Sequence, residues 1–240
     1  MEAGPRNSTK MQGVSIITCT NRQSYLRNLI QNYTRQTLAR KELIIIVNNN
    51  KIPLAPYQSL AKKLKNVQVF RVDGHQSLGA CLNFAVKKTK YSYIAKFDDD
   101  DYYAPYYLAD SLQALRRTNS DIVGKRAHYM YLNGKKLLLL RYAKMANKYV
   151  PIVQGATLLV KRHVFNRVRF PNRNRGESVK FCSDSRAKGF KIYAGDPYHF
   201  IAMRRKNSKD HTWIVSDSHL LANQDKVLKM KNIRQFVERR

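Results

Sequence analysis

Acid is what this sequence has least of. Its 240 residues hold 16 Asp and Glu against 45 Lys and Arg, a formal net charge of +29 at pH 7. That imbalance calls for an anionic partner (nucleic acid, anionic lipid or a phosphorylated substrate) without choosing among them. The basic excess is larger beyond residue 120 than before it. Cysteine is scarce as well. Cys19, Cys81 and Cys182 are odd in number, far apart and without a CxxC pair, which excludes a disulfide framework or a cysteine zinc site and suits a reducing compartment. Long apolar runs are missing: LIIIV at 43–47 and LLLL at 137–140 fall far short of the roughly 20 residues that cross a bilayer. The opening MEAGPRNSTKMQ has no apolar stretch of the kind a secretory signal needs. There is no internal repeat or low-complexity segment, and with 10% aromatic residues the chain is not an unfolded one. A soluble, cytoplasmic, folded protein is expected, with the inner face of an anionic membrane as a peripheral contact that charge alone suggests.

What is present is a rhythm of strand and helix. VSIITCT (14–20) is an apolar run of strand length, and RQSYLRNLIQNYTRQ (22–36) then spaces Tyr25, Leu26, Leu29, Ile30 and Tyr33 as a helix does. ELIIIVNNN (42–50) is a nearly continuous apolar run ending in polar residues, the pattern of a strand buried on both faces of a parallel sheet. NVQVFRVD (66–73), a helix over 76–90 and the strand YSYIAKF (91–97) follow. This alternation predicts an α/β fold, a Rossmann-like sheet with helices on both faces. A helix is expected over 105–117. Asn133-Gly134 between strand-like runs predicts a type I′ hairpin, and the tail from about Gln224 reads as a peripheral helix.

Against this shortage of acid, Asp98 to Asp101 stand in a row. Adjacent carboxylates repel unless a cation lies between them. On a continuing strand Asp98 and Asp100 point one way and Asp99 and Asp101 the other, at the carboxyl end of a central strand, where open α/β sheets place ligands. A solvated loop or helix start is the plainer reading. A hard divalent ion, Mn²⁺ or Mg²⁺, which completes its shell with diphosphate oxygens and water, is the better one.

These stretches together, VSIITCTNR, ELIIIVNN, SLGACLNFAV, YIAKFDDDDYYAPYYL, GATLLVKRHVF, RFPNRNRGESVKF and the late RR…HTW, resemble bacterial family 2 glycosyltransferases of the GT-A fold over roughly residues 13–215. The resemblance implies an inverting transfer of a sugar from a nucleoside diphosphate, usually UDP, to an acceptor hydroxyl in cell-surface or spore polysaccharide synthesis. It implies a single compact domain over 13–216, with a nucleotide-sugar half (13–101) and an acceptor and catalytic half (102–216), between a flexible segment (1–12) and a basic helical tail (217–240). It sets Thr18, Thr20, Arg22, Asn83 and Asp98 beside the nucleotide sugar, Asp98, Asp100 and His211 at the metal, and Arg204 and Arg205 over the phosphates. The implied partners are a nucleotide-sugar donor and a glycan or lipid-linked anionic acceptor, with no nucleic acid.

The chain departs from the family pattern twice. Where the second strand usually ends in an aspartate that reads uracil, Asn48, Asn49 and Asn50 stand; asparagine both donates and accepts. Where the catalytic motif usually reads Gly-Glu-Asp, the chain has Gly176-Glu177-Ser178, and serine is no base at neutral pH. Glu177 is the expected replacement, with Asp184 as the alternative about two turns along the same helix. Asn83, the arginine pair, Arg173 with Arg175, and Trp213 each also have a structural reading. Two other functions stay open beside the transferase: a polyanion- or nucleic-acid-binding basic protein, and a degenerate member of the fold that binds nucleotide sugar without transfer.

Overall fold

The computed structural model describes residues 12–206, 215–222 and 226–238. The first strands follow the apolar runs: β1 (Val14–Thr20), β2 (Lys41–Val47), β3 (Val67–Arg71) and β4 (Tyr93–Lys96). Between them run α1 (Leu26–Thr34, entered through a 3-10 turn at Gln23–Tyr25), α2 (Ala55–Lys62) and α3 (Leu78–Lys88). After the aspartates come β5 (Tyr102–Tyr103), α4 (Tyr107–Arg117), β6 (Ile122–Gly124), β7 (His128–Leu132), β8 (Leu137–Arg141), β9 (Lys148–Tyr149) and β10 (Leu159–Lys161). The chain continues with α5 (Glu177–Ala187), β11 (Ile192–Ala194), β12 (Phe200–Arg204), α6 (Asp217–Ala222), β13 (Lys226–Leu228) and α7 (Ile233–Val237).

Eight strands form the main sheet in the order β3-β2-β1-β4-β10-β6-β11-β9. β1 lies parallel to β2 and β4, and the strand order turns back at β1. Alternate β1 residues serve two apolar layers. Val14 and Ile16 pack with Leu29 and Tyr33 of α1, Tyr57 of α2 and Leu108 of α4; Ile17 packs with Cys81, Leu82 and Ala85 of α3 and Phe181 of α5. Burial on both faces is why these strands read as continuous apolar runs. The aspartates leave the sheet between β4 and β5, and β5 joins a second sheet, β13-β8-β7-β12-β5.

Two local expectations are corrected. Leu132 pairs with Leu137, so the hairpin loop has four residues, and its positive φ falls at Lys136 (55°), not at Asn133 or Gly134; a two-residue type I′ turn is therefore absent. The tail, expected as a peripheral helix, holds a strand as well as the helix α7 and packs into the second sheet. β13 adds to the edge of β8, Val237 is fully buried with Tyr102, Tyr129 and Ile201, and its carbonyl accepts the His199 N–H at 2.8 Å. Val227 and Leu228 had an edge strand to pair with, which no local pattern reports.

One close approach ties α3 to the segment leading into α5. Ser77 caps α3 by accepting the Ala80 N–H and donates to Asn172 Oδ1 at 2.5 Å, and Asn174 Oδ1 accepts the Leu78 N–H at 2.8 Å. A Cβ on Gly79 would lie 1.8 Å from the Pro171 carbonyl oxygen. In an open helix Gly→Ala gains up to about 1 kcal/mol. Here the overlap is with backbone, so Gly79→Ala is expected to cost about 1–3 kcal/mol net, a fall in Tm of several degrees on thermal unfolding; an unchanged or raised Tm would refute this contact.

Candidate functional site

The carboxyl ends of β1 and β4 meet at the point where the strand order reverses, the place where open α/β sheets leave a crevice. β4 ends at Lys96, and Asp99 and Asp100 lie in a turn. Strand alternation therefore does not sort the four carboxylates, and Asp99 and Asp100 share a partner instead. The Arg22 guanidinium bonds Asp99 and reaches Asp100 Oδ2 at 3.1 Å. Thr20 Oγ1 donates to Asp99 Oδ2 at 2.5 Å. Arg205 also donates to Asp100 Oδ2, at 3.1 Å. Asp98 pairs with the buried Lys96, and Asp101 accepts the Met203 N–H at 2.9 Å, which pins β12 beneath the turn.

The turn's backbone is held as firmly as its side chains. Asn28 Nδ2 donates to the carbonyls of Asp99 and Asp101, at 2.8 and 2.9 Å, and Asn32 Nδ2 to that of Asp101 at 2.8 Å. The Tyr103 hydroxyl accepts the Asp98 N–H and donates to the Ala156 carbonyl, both at 2.8 Å. Burial first, and Asp99 second, push the Asp100 carboxyl up to about 6. Burial also raises Asp99, with Arg22 and Thr20 opposing, and raises Asp101 well above the carboxylate range. Burial disfavours the Lys96 ammonium, but the Asp98 and Glu177 carboxylates outweigh that and raise it.

Glu177 opens α5 and is 8% exposed; the Ser178 hydroxyl donates to its Oε1 at 2.8 Å. The helix start comes so close to the 153–157 segment that a Cβ on Gly155 would meet Ser178 Oγ at 2.7 Å. Asp184, the alternative base, is partly exposed and ion-paired with Lys180, away from the aspartate turn's partners. Asn83 uses both amide atoms to hold the Phe170 backbone, at 2.8 and 3.0 Å. Thr18 is fully buried in β1, and its Oγ1 has no hydrogen-bond partner among the described residues. Arg204 and Arg205 part company: Arg204 is buried and donates to the Val215 carbonyl at 2.7 Å, while Arg205 joins Asp100. His211 and Trp213 lie outside the described residues.

Asn48 to Asn50 stitch loops together. Asn48 donates to the Asp73 carbonyl at 2.6 Å, Asn49 to that of Asn21 at 3.1 Å, and Asn50 to the Asp73 carboxylate at 3.2 Å. Asp73, beyond the end of β3, was not foreseen; the His75 N–H and Asn50 lower its carboxyl below the usual range. Lys96 was also missed, although a lysine inside an apolar strand run is a readable signal. Lys125 after β6, buried and 3.1 Å from Asp196, had no such marker.

The donor chemistry of the turn fits a hard divalent cation. Its oxygens are carboxylate, they repel one another, and a cation between them would offset both the burial and the repulsion that raise Asp100. Among the described residues, the carboxylates of Asp98 and Asp100 are the two paired with side-chain cations alone. No three His, Cys, Asp or Glu side chains converge as a metal group among the described residues, so an ion there needs further oxygens from a ligand or water.

Because Asp100 holds its proton more tightly folded than unfolded, it adds stability below about pH 4 and loses it as pH rises through about 6. In the metal-free protein, wild type should therefore lose on the order of 2 kcal/mol relative to Asp100→Asn between pH 4 and 7. Urea unfolding in a chelator at each pH measures this, and a pH-independent difference contradicts it.

Known proteins share this architecture. Residues 15–212 match the family described as Glycosyl transferase family 2. The O-antigen biosynthesis glycosyltransferase WbnJ of Escherichia coli is 29% identical over 169 residues, 65% of this chain and 64% of that protein. S. aureus TarS 1-349 in complex with UDP-GlcNAc superposes with a TM-score of 0.68 at 15% identity, over 86% of this chain and 62% of that one. The mannosyltransferase PcManGT from Pyrobaculum calidifontis, in complex with GDP-Man and Mn²⁺, gives 0.63 at 14% identity, over 82% and 57%. The chain spans less than two thirds of the length of each of these proteins. With the match running from β1 past β12, and the aspartate turn at the sheet's reversal point, the chain belongs to glycosyl transferase family 2 and has the GT-A fold.

Proposed function

We propose that the protein is an inverting, metal-dependent glycosyltransferase that moves a sugar from a nucleoside diphosphate, UDP by preference, to a hydroxyl of a glycan or lipid-linked anionic acceptor. The observation that carries this reading is the buried aspartate turn at the crevice, with Asp100 held between Arg22 and Arg205. Asp98 and Asp100 would hold Mn²⁺ or Mg²⁺, and such an ion neutralises charge on a departing diphosphate. Arg22 and Arg205 supply fixed positive charge at the same place. Glu177, oriented by Ser178, takes the proton of the acceptor hydroxyl as that oxygen bonds to the anomeric carbon and the bond to the diphosphate breaks. The Gly155 contact and the Lys96 charge support Glu177 over Asp184, whose carboxylate is engaged by Lys180. Asp73, ionised and tied to Asn48 and Asn50, is the carboxylate available to accept an N–H from the base where the usual aspartate is missing.

Thermal-shift measurement with UDP, GDP, dTDP and ADP, each with and without Mn²⁺, tests the donor site. One nucleotide at about 100 times its Kd is expected to stabilise by about 2.7 kcal/mol, only with metal and only when Asp100 is intact. Equal shifts in Asp100→Ala would reject the site. Glu177→Gln should keep the donor shift and lose turnover by about 10²-fold or more, whereas Asp184→Asn should retain turnover. Wild type that shows the donor shift without any turnover would make the chain a nucleotide-sugar binder.

A further inference from the structure

Charge is distributed along the strand axis. β1 to β4, β6 and β11 run in one direction, since β10 is antiparallel to both β4 and β6. Five of these strands follow a helix, so the carboxyl ends of α1 to α5 all arrive at the strands' amino edge. Backbone hydrogen bonds join the arriving loops into one row. Val14 N–H bonds the Arg40 carbonyl, Leu43 N–H that of Asn66, Arg162 N–H that of Ser92, Lys161 N–H that of Asp121, and Asp121 N–H that of Lys191, all at 2.9–3.0 Å.

That row is basic and exposed. Lys62, Lys63 and Lys65 leave α2, and Lys87, Lys88 and Lys90 leave α3. Arg116 and Arg117 close α4, and Arg186, Lys188 and Lys191 follow from α5. A cation at a helix's C-terminal end is locally favourable, and Lys188 caps α5, but Lys65 and Lys191 lie beyond their helices; Lys90 stands 4.0 Å from Glu42. The acids along this edge are spoken for: Glu42 is fully buried and bonded to Ser15, and Asp121 lies against Lys161 and His163 at 3.6 and 3.3 Å. Asp73, the aspartate turn, Glu177 and Asp196 all stand at the opposite, carboxyl edge.

We propose that the amino edge of the main sheet is a docking surface for an anionic lipid bilayer. A row of exposed, mostly lysine cations carried on separate loops matches a fluid sheet of monovalent headgroups, and each such cation adds attraction near a negative surface. The crevice then faces away from the lipid. Seven residues of β1 separate the two edges, so the reaction stands roughly 20 Å above the headgroups, a spacing that suits an acceptor chain extending from its lipid. The docking surface does not depend on the transferase reading, whereas the fit of this spacing to a lipid-linked acceptor rests on it.

Co-sedimentation of the full chain with phosphatidylcholine vesicles, with and without about 30% phosphatidylglycerol, tests the docking surface. Binding is expected only with the anionic lipid and should weaken by about tenfold or more between low and high salt. The variant Lys62→Glu, Lys63→Glu, Lys87→Glu, Lys88→Glu should lose about tenfold or more in partition. A variant of equal charge change on the second sheet and tail, Lys135→Glu, Lys136→Glu, Lys229→Glu, Lys231→Glu, should keep it within about twofold at an unchanged Tm. Equal loss in both variants overturns the assignment to this edge. Failure of wild type to bind anionic vesicles, or edge-dependent binding of heparin or single-stranded DNA in its place, overturns the lipid as occupant. Nucleotide thermal shifts in the same variants report the donor site separately.

Discussion

The architecture turns on the burial of negative charge beside Arg22. Four consecutive carboxylates cannot sit in a folded crevice on their own, because each one's neighbours raise the cost of ionising it. The structure distributes them among different partners: Lys96 for Asp98, Thr20 and Arg22 for Asp99, Arg22 and Arg205 for Asp100, and a backbone amide for Asp101. Those partners come from β1, the segment just after it, β4, β12 and the residue that follows β12. Satisfying the aspartates therefore ties the main sheet to the second one. Even between two arginines, Asp100 is held above its ordinary range by burial and by its neighbouring carboxylates.

The approach to α5 is organised by contacts that small or amide side chains permit. Gly79 lets the Pro171 carbonyl approach α3, Asn83 locks Phe170 from both sides, and Asn172 and Asn174 engage the first turn of the helix. Together they position the segment that delivers Glu177 at the head of α5. Serine in place of the usual aspartate at 178 does not leave Glu177 unsupported, since its hydroxyl donates to the carboxylate. The loss of one acid at this motif is thus met by a hydrogen bond to the acid that remains.

The same strand axis that gathers acid at one edge gathers lysine and arginine at the other. A parallel sheet with returning helices sends all strand ends one way and all helix ends the other, so residues far apart in the chain, such as Lys62 and Lys191, share an edge. The net charge was visible from composition. Its polarity came from topology.

Much of the fold was legible because β1, β2 and β4 are buried on both faces, and that condition writes itself into sequence as apolar runs bounded by polar loops. The aspartate cluster, the place of Glu177 at a helix start and the two departures from the family pattern could likewise be read directly. The side-chain assignments could not. Alternation along a strand predicted that Asp98 and Asp100 would point together, but β4 stops at Lys96 and the turn obeys no such period. Arg204 and Arg205 look equivalent in the chain, yet only Arg205 meets Asp100. Asn83 meets the Phe170 backbone, 87 residues away in the chain, and β13 found its partner in an edge strand more than 80 residues away. Sequence alone determined where strands and helices form and which chemistry they carry, because those depend on local periodicity and residue type. Tertiary structure alone decided which polar groups remain open to a ligand, because that depends on which partners arrive from elsewhere in the chain.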